Sequence, residues 1–216
     1  MMLVRLCRLA THDDGLYLNR VTIEISLPKG EAPKNCSACP RLVGLRRKLR
    51  KEQGDWWNAP VPSWGDPDAW LAVVGLAPGL KGANRTGRPF TGDQSGMLLF
   101  DALERAGFCI GQFGNRADDG LRLNGAMIMN AVKCLPPGNL PTGDEISNCR
   151  KFLGRQIGSL DRLRVLIAVG KVAHDSILKY FGRQLVSAPF GHGHVHLLPG
   201  GRVLIDSYHC SRYNVQ

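Results

Sequence analysis

Short apolar runs recur along the chain, with helix-length segments between them. They are WLAVVGL (70–76), AMIMNAV (126–132), RVLIAVG (164–170) and RVLIDSY (202–208). Continuous apolar strands that alternate with helices are typical of a parallel sheet covered on both faces. The pattern therefore predicts an α/β protein with three α/β/α layers and a short, mostly parallel four-stranded central sheet.

Apolar positions at helical spacing mark the other regular elements. The predicted helices are RLVGLRRKLRK (41–51), GMLLFDALERAG (96–107), TGDEISNCRKFLGRQIGSL (142–160) and KVAHDSILKYFG (171–182). Thr142 stands three residues before Glu145, which is the spacing of a capping box at a helix N-terminus. In open α/β sheets ligands bind outside the carboxyl ends of the strands, so we expect a site in the loops that follow the four apolar runs. Those loops begin after Val74, Val132, Val169 and Ile205.

The charge of the chain is one-sided. Lys and Arg number 28 against 18 Asp and Glu, which gives a formal net charge of +10. Such a balance attracts polyanions, but it also serves solubility alone. The cations are densest in 41–51, where a helix is expected to turn Leu42, Leu45 and Leu49 inward. Its expected solvent face carries Arg46, Arg47, Arg50 and Lys51. That face is either a strip that meets phosphates or a merely solvated surface.

The loop after the first strand has a costly composition for an ordinary surface connection. GLAPGLKGANRTGRPFTGDQSG (75–96) holds six glycines, two prolines and a single carboxylate, Asp93. The loop after the second run is NAVKCLPPGN (130–139), and the loop after the fourth is SYHCSRYN (207–214). Three loops with reactive polar groups thus converge on one edge of the predicted sheet, which indicates a site for chemistry.

Seven cysteines are an odd number for a disulfide scaffold, and their spacing is more informative than their count. Cys36 and Cys39 form a CxxC pair, and Cys134 and Cys149 form a C-x14-C pair. A CxxC pair alone indicates zinc at least as strongly as iron. The other three, Cys7, Cys109 and Cys210, are interpreted as ordinary free thiols.

A second cluster of metal-binding residue types lies near the C-terminus. HGHVH alternates His192, His194 and His196, so three imidazoles are expected on one face of a strand. This arrangement is typical of metal enzymes. No paired carboxylate lies nearby in the sequence, so we do not expect a metal there.

Together these loops resemble the iron–sulfur branch of the uracil-DNA glycosylase superfamily known as family 5. The resemblance rests on 75–96, on AVKCLPPGNLPTGDE, on FGHG followed by LPGGRVLIDSYH, and on HCSRYN, and it spans Cys36 to the last residue. The sister family 4 is similar but has an acidic residue where Leu76 stands and lacks an acid at Asp93. The resemblance implies a uracil-DNA glycosylase-like fold.

The resemblance also implies three catalytic residues. Asp93 is expected to hold a water and to face an oxocarbenium-like sugar, and His209 to donate a hydrogen bond to the leaving base. Asn139 is expected near the reacting centre. Each has a simpler interpretation: Asp93 as the cap of the helix that follows, His209 as a surface residue and Asn139 as a turn residue.

The remaining implied residues bind the base or the DNA backbone. Phe90 is available to stack on a flipped base, or simply to pack in the core. Asn130 either reads the uracil edge, as in family 4, or is a buried amide at a strand end. The backbone of Leu76, Ala77 and Gly79 is expected to approach the base. The expected phosphate contacts are Ser211, Arg212 and Arg85. Cys210 stands where many relatives have proline.

The cysteine pairs match the arrangement of the iron–sulfur glycosylases. The resemblance therefore implies a [4Fe–4S] cluster that pins the N-terminal segment to the connection between residues 134 and 149. Its ligands are expected to be Cys36, Cys39, Cys134 and Cys149. Structural zinc is the alternative.

The resulting hypothesis is a monofunctional DNA glycosylase that flips uracil from DNA and hydrolyses its N-glycosidic bond, which initiates base excision repair. Hypoxanthine and other deaminated bases are further expected substrates. The alternatives are a uracil-restricted family 4 enzyme and a non-catalytic iron–sulfur module that binds damaged DNA. With no apolar run long enough to span a membrane, we expect a cytoplasmic monomer whose partner is DNA.

The domain organisation follows from the extent of the resemblance. Residues 1–30 are expected to form an arm of unknown role, in which 16–27 alternates like an edge strand. Residues 31–216 are expected to form one uracil-DNA glycosylase-like domain. Gln216 comes soon after SRYN, where the family continues into a further short segment and a final helix, so either the chain is truncated or that helix is expected to be absent.

Overall fold

The computed structural model describes residues 30–210 and has a six-stranded mixed sheet at its centre. The strands are β1 (Trp64–Gly65), β2 (Leu71–Gly75), β5 (Ala126–Asn130), β6 (Val165–Val169), β7 (Val195–Leu198) and β8 (Arg202–Ser207). They lie side by side in the order β1-β5-β2-β6-β8-β7. Strands β5, β2, β6 and β8 pair in parallel, which confirms the four predicted runs.

Two antiparallel edge strands extend this parallel sheet beyond the prediction. Strand β1 pairs with β5, and β7 pairs with β8. The first has only two residues within a segment rich in Trp and Pro, and the second is largely exposed. Neither has the apolar run that identifies a buried strand, because edge strands bury less of their surface than central ones. A separate hairpin joins β3 (Cys109–Ile110) to β4 (Arg122–Leu123).

Helices cover both faces of the sheet, as the α/β/α prediction requires. They are α1 (Pro40–Glu52), α2 (Ala83–Thr86), α3 (Gln94–Arg105), α4 (Gly143–Gly158) and α5 (Lys171–Tyr180). One core cluster contains Leu153 of α4 and Ile177 of α5, and another contains Phe100 of α3. The capping box is present at α4, where Thr142 accepts from the Glu145 N–H and the Glu145 side chain accepts from the Thr142 N–H.

The prediction for the solvent face of α1 is wrong at Arg46. Leu42 and Leu49 are buried as expected, but Arg46 is also buried, with 6% of its surface exposed. Its guanidinium donates to the carbonyl of Cys36 at 2.7 Å. Arg50 stays at the surface but donates to the carbonyl of Asn58 at 2.9 Å. Both side chains therefore stabilise the fold through hydrogen bonds to backbone carbonyls.

Chain topology places a crevice beside β2. From β2 the chain passes through α3 to β5 on one side, and from β5 through α4 to β6 on the other. Such a reversal of strand order opens a crevice at the carboxyl edge of the sheet. No helix within residues 30–210 has the length and hydropathy to cross a membrane.

Candidate active site and cysteine pocket

A cavity of about 300 Å³ opens at the carboxyl edge of the sheet. It is lined by residues from the loops after β2, β5 and β8 and from the start of α3. These residues are Leu76, Ala77, Gly79, Ala83, Phe90, Asp93, Ser95, Asn130, Asn139 and His209. The structure thus brings together all three predicted catalytic residues and all five predicted base-binding residues. Ala83 and Ser95 are additions that the sequence does not single out.

Asp93 has two oxygens with different surroundings. It is the N-cap of α3, and its Oδ1 accepts from the Ser95 N–H at 3.0 Å. Its Oδ2 lies against Gly82, where an added Cβ would collide with the carboxylate. Glycine at position 82 is therefore required for this placement. The carboxylate caps the helix and lines the cavity, so the simpler interpretation of Asp93 does not exclude the chemical one.

A buried ion pair anchors the loop that carries Asp93. Arg88 donates to both carboxylate oxygens of Asp119, at 2.7 and 2.6 Å, and the two side chains are 4% and 5% exposed. Arg88 also lies over the rings of Trp64, Phe100 and Phe113. The hydrogen bonds from Arg88, helped by backbone N–H groups, lower the pKa of Asp119 to about 2. No local pattern links residues 31 apart, so sequence reasoning misses this pair.

Phe90 and His209 form one wall of the cavity. Phe90 adopts a left-handed backbone conformation with φ 51°, which turns its ring inward. That ring stacks against the His209 imidazole with centroids 6.4 Å apart and an angle of 26°. Gly75 packs against the Phe90 ring, and glycine is needed at this position because a Cβ would come within 2.7 Å of the ring. A planar surface therefore faces the cavity.

The environment of His209 favours the neutral imidazole. Burial lowers its pKa below the ordinary value, and the negative charge of Asp93 opposes this shift only in part. Burial also raises the pKa of the neighbouring Cys210 thiol to about 11, with the Asp93 charge acting in the same direction. Around neutral pH, this corner of the cavity holds an uncharged imidazole and an uncharged thiol beside one carboxylate.

Two asparagines complete the lining. Asn130 is the last residue of β5 and is buried. No hydrogen bond joins its side-chain amide to another residue of the range 30–210, so the amide faces the cavity as an available donor and acceptor. Asn139 ends the short 3₁₀ turn Pro137–Asn139 and has φ 58°. Asn139 is therefore a turn residue, which agrees with the simpler interpretation, and it also lines the cavity.

The predicted phosphate contacts are only partly within the described residues. Arg85 is exposed on α2 and donates to the carbonyl of Gly92 at 3.3 Å. Ser211 and Arg212 lie outside the residues that the structure describes.

Four cysteines line a second, smaller pocket of about 20 Å³. They are the predicted set: Cys36, Cys39, Cys134 and Cys149. The first two lie at and just before the N-terminus of α1, the third follows β5 and the fourth is on α4. Topology thus brings both sequence pairs to one place.

Donors from the surrounding chain point at the sulfurs. The Lys133 N–H donates to Cys149 Sγ at 3.2 Å, and Arg46 Nη1 lies 3.7 Å from Cys134 Sγ. Burial raises the pKa of Cys134 to about 12 and that of Cys149 to about 11. The fully buried Lys133 ammonium is held by Ser63 Oγ at 2.8 Å and by Glu31 at 3.3 Å.

The two pockets share a wall. Ala77 lines the cavity and also packs in the apolar cluster around the cysteines, together with Val132. The Val132 N–H donates to the carbonyl of Leu76 at 2.9 Å. The segment from Asn130 to Cys134 therefore begins at one pocket and ends at the other.

One carboxylate lies beside the alternating histidines, although the expected absence of a paired carboxylate is not contradicted. His196 and His174 both contact Asp206, at 2.9 and 2.7 Å. Their ligand-type atoms lie within 4.8 Å of one another. His192 and His194 are exposed, and the His194 ring packs edge-on against the His196 ring with centroids 6.2 Å apart.

Comparison with known proteins agrees with the geometry. The family model of the uracil DNA glycosylase superfamily matches residues 62–216, and the chain belongs to that superfamily. It is 44% identical to the type-5 uracil-DNA glycosylase of Thermus thermophilus over 186 residues, which are 84% of each chain. The type-5 enzyme of Pyrobaculum aerophilum is 43% identical over 185 residues, 84% of this chain and 80% of its own. The type-4 enzyme of Thermotoga maritima is 30% identical over 184 residues, 84% of this chain and 79% of its own. The predicted resemblance to family 5 is confirmed.

Proposed function

We propose that the protein is a uracil-DNA glycosylase that excises uracil from DNA by hydrolysis of the N-glycosidic bond. The observation that carries the proposal is the single cavity of about 300 Å³ that gathers Asp93, His209 and Asn139 around an aromatic wall. This volume lies at the lower end of the range for small-molecule pockets, which suits one nucleobase and its sugar. The described residues that line the cavity include all eight predicted catalytic and base-binding residues, and we propose that the enzyme acts as a monomer.

The proposed reaction needs opposite charges to be stabilised on sugar and base. As the bond from C1′ to the base breaks, its electron pair leaves with uracil and positive charge develops on the sugar. Asp93 stabilises that positive charge and holds the water whose oxygen bonds to C1′, and it accepts the proton that the water loses. Asn139 lines the same cavity, and we assign it the positioning of this water.

His209 acts on the leaving base. Because burial lowers its pKa, it acts as a neutral imidazole, and it donates a hydrogen bond to the uracil oxygen on which negative charge accumulates. A neutral donor avoids placing a second full charge beside Asp93. The Phe90 ring stacks on the flipped base and holds it in the plane that this hydrogen bond requires.

Base selection is assigned to Asn130. An amide pairs with the uracil edge through one donor and one acceptor, and its side chain is available for this role. Hypoxanthine presents a different edge but the same flat surface to Phe90, so we propose it as a second, less favoured substrate. Through this pairing, Asn130 would make the enzyme prefer uracil over other deaminated bases.

We further propose that the cysteine pocket holds a [4Fe–4S] cluster. Four sulfurs from three separate segments converge on one small apolar pocket, and Arg46 and Lys133 donate toward them, which fits a cluster bound by four thiolates. The bound cluster supplies a cross-link between the segment before α1 and the loop after β5. Because that loop begins at Asn130, the cross-link supports the base cavity.

The DNA backbone is proposed to run along exposed cations near the cavity. These are Arg85 and, beyond the described range, Arg212, with Ser211 as a neutral contact. On α1 the predicted phosphate-facing strip keeps the exposed Arg47 and Lys51, because Arg46 is buried and Arg50 donates to the carbonyl of Asn58. The exposed Lys48 lies beside them.

Cleavage of uracil-containing DNA tests the proposed activity. Purified protein in excess over a duplex with one uracil is expected to leave an alkali-labile abasic site, whereas the matched duplex with thymine stays intact. Strand breaks before alkali treatment would contradict a monofunctional mechanism. Binding to the uracil duplex without any cleavage would contradict the activity and favour a non-catalytic module.

Metal content tests the cluster separately. Brown protein with about four irons and four acid-labile sulfides per chain is expected from the four ligands. Colourless, folded protein with one zinc per chain would contradict the cluster.

A further inference from the structure

Asp206 organises the turn formed by residues 191–194. It lies on β8, and its side chain is buried. Its Oδ2 accepts from the Gly191 N–H at 3.2 Å, its carbonyl from the Gly193 N–H at 2.9 Å, and its N–H donates to the carbonyl of His194 at 2.9 Å. One residue of the strand thus makes three hydrogen bonds to one short turn.

Two histidines fix the Asp206 carboxylate from behind. His174 Nδ1 lies 2.7 Å from Oδ1, and His196 Nε2 lies 2.9 Å from Oδ2. The other ring nitrogen of His174 faces the carbonyl of Ala188 at 2.9 Å, which only accepts hydrogen bonds, so that nitrogen carries a hydrogen. Ligands of one tetrahedral zinc lie about 3.3 Å apart when each bond is about 2 Å. The shorter 2.7 Å contact is that of a hydrogen bond, so the group is a structural anchor.

The anchored turn reaches the segment that carries the candidate catalytic histidine. His192 is exposed on this turn, and its Nδ1 accepts from the Tyr208 N–H at 3.1 Å. The two rings also stack, with centroids 5.0 Å apart and an angle of 23°. Tyr208 directly precedes His209, so its peptide orientation determines where the His209 side chain enters the cavity.

We propose that Asp206 and His192 are positioning residues for His209. Asp206 folds the turn over the end of β8, and His192 on that turn holds the backbone of Tyr208, which keeps His209 against Phe90. This inference rests on the role proposed for His209. Neither positioning residue lines the cavity.

Variants at His192 test the inference without disturbing the core. His192→Ala removes the acceptor for the Tyr208 N–H and is expected to slow single-turnover uracil cleavage roughly 10- to 100-fold, the scale of a displaced catalytic group. His192→Asn keeps an acceptor at nearly the same position and is expected to restore the rate to within about threefold of the wild type. His194→Ala is the control for loss of an imidazole from the same turn: it removes contacts to the Pro189 carbonyl and the His196 ring but leaves His192 in place, and its rate is expected to stay near that of the wild type.

A double-mutant cycle with His209→Ala separates positioning from general damage. If His192 acts through His209, His192→Ala causes no further loss in the His209→Ala background. Multiplicative losses, or a wild-type rate in His192→Ala, would overturn the inference while leaving the role of His209 intact. A wild-type rate in His209→Ala would instead refute the proposed role of His209. Asp206→Asn is expected to lower both the cleavage rate and the thermal stability. The variants at the exposed His192 are therefore the ones that test the positioning of His209.

Discussion

The two oxygens of Asp93 allow its chemical role to be separated from its structural one. Oδ1 caps α3 through the Ser95 N–H, whereas Oδ2 belongs to the cavity side near Gly82. Asp93→Asn keeps an acceptor for the cap and removes the charge. Asp93→Ala removes both. The pair of variants therefore compares loss of the carboxylate with loss of the carboxylate and the cap together.

The expected magnitudes differ for the two roles. Loss of a positioned general base lowers the rate by roughly 10² to 10⁴, so both variants should lose single-turnover cleavage to this extent. Loss of an N-cap costs about 1 kcal/mol, which in a domain of this size lowers the melting temperature by about 2–4 °C. Only Asp93→Ala should show that decrease, since asparagine is as good a cap as aspartate.

Two measurements suffice: single-turnover cleavage of a uracil duplex with enzyme in excess, and thermal unfolding. Affinity for a duplex with an abasic site serves as the control and should change little. A wild-type cleavage rate in Asp93→Asn would refute the assignment of the carboxylate to the chemistry. An equal loss of melting temperature in both variants would refute the assignment of Oδ1 to the cap.

Three further predictions concern separate parts of the structure. Asn130→Ala should slow uracil cleavage while sparing hypoxanthine, and equal losses on both bases in parallel cleavage assays would contradict a role in base selection. Arg46→Gln should lower iron content per chain whereas the exposed Arg47→Gln should not, and equal iron in both variants would show that the Arg46 contacts to the cysteine pocket are dispensable. Because pairing with Arg88 lowers the pKa of Asp119 to about 2, this pair stabilises the fold above about pH 4 and its contribution of about 2 kcal/mol is lost as pH falls toward 2. Asp119→Asn should remove that part of the pH dependence of unfolding, and an unchanged dependence would contradict it.

Local pattern predicts the frame of the fold well. The four parallel strands are continuous apolar runs, and α3, α4 and α5 begin and end within two residues of their predicted bounds. Ligands bind outside the carboxyl ends of parallel strands, so the direction of the strands indicates which loops lie together at that edge of the sheet. This rule selects the loops, whereas the individual cavity residues within them are what the resemblance to family 5 implies.

Long-range pairs and buried charges escape such reasoning. Arg46 stands four residues after Leu42 and three before Leu49, so helical spacing alone places it on the buried face. Its charge argues for solvent, and only the pocket beside Cys134 explains why a cation is buried there. The Arg88–Asp119 and His174–Asp206 pairs join distant segments, and no spacing rule connects them.

The shared wall between the cavity and the cysteine pocket has a practical consequence for measurement. Ala77 and the segment that starts at Asn130 belong to both, so oxidation of the cysteines in air is expected to change the shape of the base cavity as well. Such a preparation would be a mixture of active and inactive molecules, and its measured rate per protein chain would underestimate the rate constant of the active molecules. The concentration of active sites should therefore be measured from the burst amplitude rather than taken from the protein concentration. This distinguishes an enzyme with a low rate constant from a preparation that contains inactive molecules.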